Sequence, residues 1–168
     1  TDNLLIKYFE GIKKQIFKDY IVSIVLDNNS NYYKLENFLN DNKIPNNIFL
    51  LKNCNISEKR NLAVKQIKSK YIAFIDSDAY PDPSWLKVAN DYLINTNNLI
   101  IGGPSGLPFP EEKFSFLLTN FAKRSFFCTA NLSLRKYSKK NKYYDWLESC
   151  NLIIRKNAFD SINGMNTN

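Results

Sequence analysis

The stretch Lys70-Tyr71-Ile72-Ala73-Phe74-Ile75-Asp76-Ser77-Asp78 constrains this chain more than any other. A short run of β-branched and aromatic residues stops abruptly at two carboxylates one residue apart. Tyr71 to Ile75 reads as a buried strand. Asp76 and Asp78 then stand where the strand leaves its sheet. In open α/β sheets that edge, at the carboxyl ends of the strands, is where ligands bind. Two acids so close repel each other unless a cation or another donor lies between them. Oxygen-only ligation of this kind suits Mg2+ or Mn2+, and either ion suits a phosphate-bearing substrate. The alternative for the same residues is a turn whose aspartates bond the local backbone.

Strand-like and helical segments alternate through the first part of the chain. Leu4, Leu5, Tyr8, Phe9, Ile12, Ile16 and Phe17 are spaced for a helix. Residues 21–26 form a β-branched run that Asp27-Asn28-Asn29-Ser30 ends, and Ser30 or Asn31 can cap a helix over 32–40. A second short strand covers 48–51, and Ser57 with Arg60 and Asn61 opens a helix that runs to about Ile67. Asp82-Pro83-Ser84-Trp85 starts another, with Trp85, Val88, Ala89, Tyr92 and Leu93 on one face. Residues 99–103 make a fourth strand that ends in Gly102 and Gly103. This order predicts an α/β fold, a mostly parallel sheet with helices on both faces. Beyond Pro104 the pattern changes. Prolines 104, 108 and 110 mark a loop, 113–127 is rich in Phe, 143–154 reads as one or two strands, and 155–161 as a short helix.

Composition narrows the chemistry. With 168 residues and 44% hydrophobic content the chain can bury one core, and no segment is long and apolar enough to span a bilayer. It opens straight into an amphipathic pattern, so no secretory leader is expected. There is no His, which argues against zinc and against Ser-His and Cys-His catalysis. Cys54, Cys128 and Cys150 read as reduced cysteines of a cytoplasmic protein. The net charge of +7 favours polyanionic partners. The aromatic residues follow core periodicity rather than forming a basic-aromatic surface, so no nucleic-acid partner is expected. The basic run from Arg135 to Lys142 reads as a solvated loop.

Four pieces of the chain, in order, resemble the family 2 glycosyltransferases. The run from Ile21 to Ser30 looks like that family's second strand and acidic turn. Glu58-Lys59-Arg60-Asn61-Leu62-Ala63 is similar to its Ala-Arg-Asn helix start. The segment from Tyr71 to Trp85 resembles its Asp-x-Asp strand with the following Pro-x-x-Trp-Leu. The segment from Ser149 to Phe159, with Gly164, resembles its acceptor side. The resemblance implies a nucleotide-sugar-binding, Rossmann-like GT-A fold, with residues 1–103 as the nucleotide-binding half and 104–168 as the acceptor-side half. It also implies an inverting transfer from a nucleotide-diphosphate sugar, with Mn2+ or Mg2+, to a glycan or lipid-linked acceptor in cell-surface polysaccharide synthesis.

Residue roles follow from the same resemblance. Asp27 would accept from a base imide or a ribose hydroxyl, or else from its own turn. Arg60 offers a planar fork to a base carbonyl or a phosphate. Asn61 supports the helix start. Asp76 and Asp78 would hold the metal, Asp78 as the more direct ligand and Asp76 facing the ribose or a metal-bound water. Gly102 and Gly103 either let backbone approach the sugar or simply end a strand. Asn151 would bond donor sugar or backbone. Trp85 reads as core, while Trp146 and Glu148 fall on the acceptor side. Phe114, Phe116, Leu117, Leu118, Phe121, Phe126 and Phe127, with Lys113, Lys123 and Arg124, read either as a helix over the acceptor site or as an interfacial helix. The second option would put the protein at the cytoplasmic face of the inner membrane.

Two parts of the family pattern are missing. The chain starts in the helix that should follow a first strand. It also stops at Asn168, before the Glu-Asp pair that supplies the general base, so the catalytic base is expected beyond Asn168. Asp145, Glu148 and Asp160 do not sit at its place. The chain therefore reads as a piece of a longer transferase, weak or inert alone. The alternatives are an inert nucleotide-sugar or glycan-binding remnant and a nucleotidyltransferase, though no early Gly-rich basic loop supports the latter.

Overall fold

The computed structural model describes residues 2–27, 32–104, 118 and 141–167. Its elements run α1 (Asp2–Lys13), β1 (Val22–Leu26), α2 (Tyr32–Asp41), β2 (Asn46–Leu50), α3 (Ile56–Lys65), β3 (Tyr71–Ile75), α4 (Trp85–Ile94), β4 (Ile100–Gly102), β5 (Asn151–Arg155) and α5 (Lys156–Ser161). The expected alternation is present. β1 and β2 pair in parallel, from Val22 opposite Asn46 to Leu26 opposite Leu50. Parallel neighbours require a crossover, which α2 supplies. Leu35 and Leu39 are its buried positions, one turn apart.

A second sheet has the order β3-β5-β4. The amide of Arg155 donates to Leu99 O and that of Lys156 to Lys70 O, both at 2.9 Å. The end of β5 therefore lies beside the starts of both neighbours, so β5 runs against them. It covers the last four residues of the region 143–154, where one or two strands are expected, and adds Arg155, which the sequence pattern puts in the helix; 141–150 has no strand. In β3, Ile72 and Phe74 are buried while Ala73 is exposed, so the strand buries one face rather than two.

The chain divides into two units, one of Thr1–Ile72, Ser77–Leu99 and Ile154–Asn168, the other of Ala73–Asp76 and Ile100–Ile153. The core of the first includes Tyr8, Phe9, Ile12, Leu35, Leu39, Val64, Ala89, Leu93 and Phe159, and that of the second Phe74, Leu152 and Ile153.

Helix α1 ends at Lys13 although apolar spacing continues to Ile16 and Phe17. Gln15 explains the stop. Its side chain is fully buried, Nε2 donates to Gly11 O at 3.2 Å and to Asp82 O at 2.7 Å, and Oε1 accepts from Leu86 N at 3.0 Å. One amide thus serves the end of α1 and the start of α4. That start needs the help, because Ser84, the N-cap, makes no side-chain cap bond. Ile16 is left exposed, and so is Val88 on α4, which the helical pattern had grouped with the buried Ala89 and Leu93.

Candidate functional site

The end of β1 and the start of α3 meet at Asp27. Helix α3 begins with a capping box: Asn55 Oδ1 accepts from Glu58 N at 2.9 Å, and Glu58 Oε2 accepts from Asn55 N at 2.7 Å. The helix therefore starts at Ile56, a residue before the expected Ser57, and Glu58 is committed to the cap. Lys59, the next residue, reaches both oxygens of Asp27, at 2.7 and 2.8 Å. Arg60 follows, half-buried. Cys54 lies against the same turn and donates to Lys52 O at 3.1 Å. Partial burial, and then the Glu58 carboxylate, hold its thiol above the ordinary value.

Asn61 faces elsewhere. Its Nδ2 donates to Met165 O and its Oδ1 accepts from Met165 N, both at 2.8 Å. Gly164, at φ +85°, leaves the necessary room, since a Cβ there would stand 2.6 Å from Asn61 Oδ1. Asn55 Nδ2 adds a bond to Thr167 O at 3.0 Å. The expected supporting role of Asn61 thus takes a definite form: the first turns of α3 grip the turn after α5.

Asp76 directly follows β3 and is half-buried, while Asp78 is exposed two residues on. The loop behind Asp78 is well secured. Lys14 Nζ donates to Tyr80 OH at 3.1 Å, and a Cβ on Gly11 would lie 2.7 Å from Pro81 Cδ, so α1 rests directly on the loop. Asp82 Oδ1 accepts from Ser84 N at 2.8 Å and Ser84 Oγ at 2.6 Å. Those two bonds hold its carboxyl below the ordinary value. Asp82 is therefore an acceptor within the turn, two residues before the N-cap. Among the described residues no three acidic or cysteine side chains gather as a ready-made metal cage.

In the second unit Gly103 and Asn151 are adjacent. A Cβ on Gly103 would fall 2.9 Å from Asn151 Nδ2, which donates to Pro104 O at 3.1 Å. Gly102 is similarly confined, with Leu147 Cδ2 at 3.1 Å and Asn151 O at 3.2 Å from such a Cβ. Both glycines are thus explained by the close approach of neighbouring residues, and the Asn151 amide bonds backbone. Glu148 Oε2 lies 3.7 Å from Cys150 Sγ, and Trp146 is exposed.

The structure thus joins Asp27 to Lys59 and Gly103 to Asn151. Asp27, Arg60 and Asp78 fall in one unit; Asp76, Gly103, Trp146, Glu148 and Asn151 fall in the other. The Phe-rich segment, apart from the exposed Leu118, lies outside the described residues, as do Ser30, Asn31, Cys128 and most of the 135–142 run. Sequence reasoning missed Lys59 as the partner of Asp27. No local signal announces it, because Asp27 follows β1 whereas α3 follows β2 in the chain.

Solved structures share this fold. The chain superposes on S. aureus TarS 1–349 in complex with UDP with a TM-score of 0.64 at 17% identity, covering 96% of this chain and 46% of that one. For TarS 1–349 in complex with UDP-GlcNAc the TM-score is 0.60 at 17% identity, covering 95% and 43%. For S. aureus TarS without that restriction the TM-score is 0.63 at 17% identity, covering 95% and 27%. The chain therefore spans less than half the length of the structures it matches, and the likeness is one of fold. No match is found among curated proteins. The sequence itself fits the profile described as glycosyl transferase family 2 over residues 2–160, almost its whole length, and the chain belongs to that family.

Proposed function

We propose that this chain carries the donor-binding part of a glycosyltransferase that moves a sugar from a nucleoside-diphosphate donor to a glycan or lipid-linked acceptor, with inversion, in the building of a cell-surface polysaccharide. The observation that carries the reading is Asp76-Ser77-Asp78 at the carboxyl end of β3, in a chain whose family match spans residues 2–160. The UDP and UDP-GlcNAc complexes of the similarly folded TarS support a nucleotide-sugar donor.

Each residue then has a task. Asp27 accepts from the base or ribose, and Arg60 offers its fork to a base carbonyl or phosphate. Asp76 and Asp78 fit a hard divalent cation: Mg2+ is commonly held by one or two carboxylates, with substrate phosphates and waters completing the shell. Such an ion, Mg2+ or Mn2+, would neutralise charge that grows on the departing nucleoside diphosphate. Gly103 and Asn151 shape the backbone on the sugar side, and Trp146 with Glu148 faces the acceptor. Residues 1–103 serve the nucleotide and 104–168 the acceptor. Attack by an acceptor hydroxyl on the anomeric carbon expels the diphosphate and inverts that centre; no described residue is assigned as its base.

A binding-only role for the isolated chain has one observation in its favour. Asp160, an acid near the end of the chain, is held by Lys156 Nζ at 2.8 and 3.0 Å. It is thus engaged within its own helix. The cytoplasm remains the proposed location; no helix among the described residues is long and apolar enough to cross a membrane.

The test is a thermal melt with Mn2+ and UDP, GDP, CDP or dTDP in turn, repeated with Asp78→Ala. At about 100 times Kd a ligand adds about 2.7 kcal/mol, a shift of about 5–10 °C for a chain of this size. The expected outcome is a metal-dependent shift with one nucleotide that Asp78→Ala abolishes. A cooperative melt that none of the four moves would sink the donor-site reading. Turnover of donor and acceptor by the same preparation separates transferase from binding remnant.

A further inference from the structure

Lys59 belongs to none of the tasks above, yet its ammonium bonds the Asp27 carboxylate. Its Nζ lies 2.7 Å from one carboxylate oxygen and 2.8 Å from the other. The lysine side chain is 23% exposed and the aspartate side chain 60%. The cation is thus largely enclosed, while the acid presents much of its surface to solvent. An ion pair with so exposed a partner contributes little to stability. Its geometry has a second effect. One ammonium that bonds both oxygens from one side holds the carboxylate group in place at the end of its side chain. A carboxylate has about four lone-pair directions, and the outward ones remain for other donors.

The lysine is itself fixed. It sits in the first turn of α3, directly after Glu58, which the capping box holds at both ends. Asn61, two residues on, is tied to Met165 by two bonds. The helix start that carries Lys59 is therefore anchored on both sides of it. Asp27, by contrast, directly follows β1, and no other ion pair to it occurs among the described residues.

We infer that Lys59 is a positioning residue for nucleoside recognition, holding the Asp27 carboxylate in the orientation from which it accepts from the base or ribose. The inference rests on the donor-site reading and adds a residue to it. Lys59 acts through Asp27 and does not touch the nucleotide. Removing it frees the Asp27 rotamer, which the ligand must then order by itself.

The experiment is a double-mutant cycle on the intact chain, read by titration calorimetry with Mn2+ and whichever of UDP, GDP, CDP and dTDP stabilises it most. Lys59→Met, which keeps the apolar stem, is expected to weaken binding about three- to tenfold. Lys59→Arg restores it to within about twofold, because a guanidinium also spans both oxygens. The unliganded melting midpoint moves by no more than about 1 °C in either variant. In an Asp27→Asn background, Lys59→Met has no further effect on affinity. A full and undiminished Lys59→Met effect in that background overturns the inference and gives Lys59 a direct ligand contact. Wild-type affinity in Lys59→Met overturns it as well, while leaving the donor site intact. If none of the four nucleotides binds the unaltered chain, the donor-site reading falls, and this inference falls with it.

Discussion

Lys59 and Arg155 are both cations held by oxygen atoms, at two junctions of the same unit, but they are held in different ways. At the junction of β1 and α3, Lys59 meets one exposed carboxylate. At the junction of α4 and β5, Arg155 meets carbonyls and Tyr71, whose hydroxyl accepts from its Nη1 at 3.5 Å. Its Nε donates to Asn98 O at 2.9 Å and its Nη2 to Thr96 O at 2.7 Å and to Leu93 O. The guanidinium carbon lies 5.4 Å from the centre of the Tyr71 ring. Leu93 O is one of the carbonyls that a helix leaves unpaired in its last turn. Arg155 therefore closes α4 and ties the loop after it to β5. Its partners are fixed backbone and one tyrosine, partly buried, and none of them is charged. The partner of Lys59 is a side chain that faces solvent. The first arrangement suits holding a fold together, the second suits keeping a group ready for a ligand.

Substitutions at the two junctions can break that contrast. The largest effect is expected at Arg155: Arg155→Ala leaves the carbonyls of Leu93, Thr96 and Asn98 without their donor and costs about 3 kcal/mol in urea unfolding. Arg155→Lys, which keeps the charge but loses the fork, costs about 1–2 kcal/mol. Equal stability of Arg155→Lys and the parent would mean that charge, not the fork, does the work. Asn61→Ala comes next, at about 1–2 kcal/mol, because the Met165 amide and carbonyl lose their partner together. A neutral Asn61→Ala would show that solvent satisfies that turn equally well. The smallest effect is at Lys59, where Lys59→Met changes unfolding free energy by less than about 0.5 kcal/mol, and even that difference shrinks in 1 M salt. A large, salt-resistant loss there would put Lys59 in the same class as Arg155 and remove the contrast.

How far the sequence foretold these features depends on where the determining partner lies. β3 appears between the expected residues, Tyr71 and Ile75, because a β-branched and aromatic run that stops at acids is a purely local signal. The capping box Asn55-Ile56-Ser57-Glu58 was also local, although the reading placed the helix start at Ser57. α1 was read too long because the apolar spacing of Ile16 and Phe17 continues past the point where Gln15 turns inward, and nothing nearby in sequence announces the Asp82 and Leu86 partners of Gln15. Spacing puts Val88 on one face of α4 with Ala89 and Leu93, but how much of that face is covered depends on what packs against it. The partnership of Lys59 with Asp27 and that of Arg155 with Leu93, Thr96 and Asn98 span 32 and 57–62 residues. Only the folded chain brings those groups together. The order of motifs revealed the family because each motif is short and self-contained; what holds the motifs in place is not.

Gln15 has a consequence of its own. A carboxamide is a neutral side chain with a donor and an acceptor on separate arms, and here both arms are used, two bonds from one and one from the other. Glutamate would supply no donor, leucine neither group, and asparagine would be one methylene short. A hydropathy plot scores this position as surface. In the folded chain it is as enclosed as Leu39 and Leu93, and it admits fewer replacements than either.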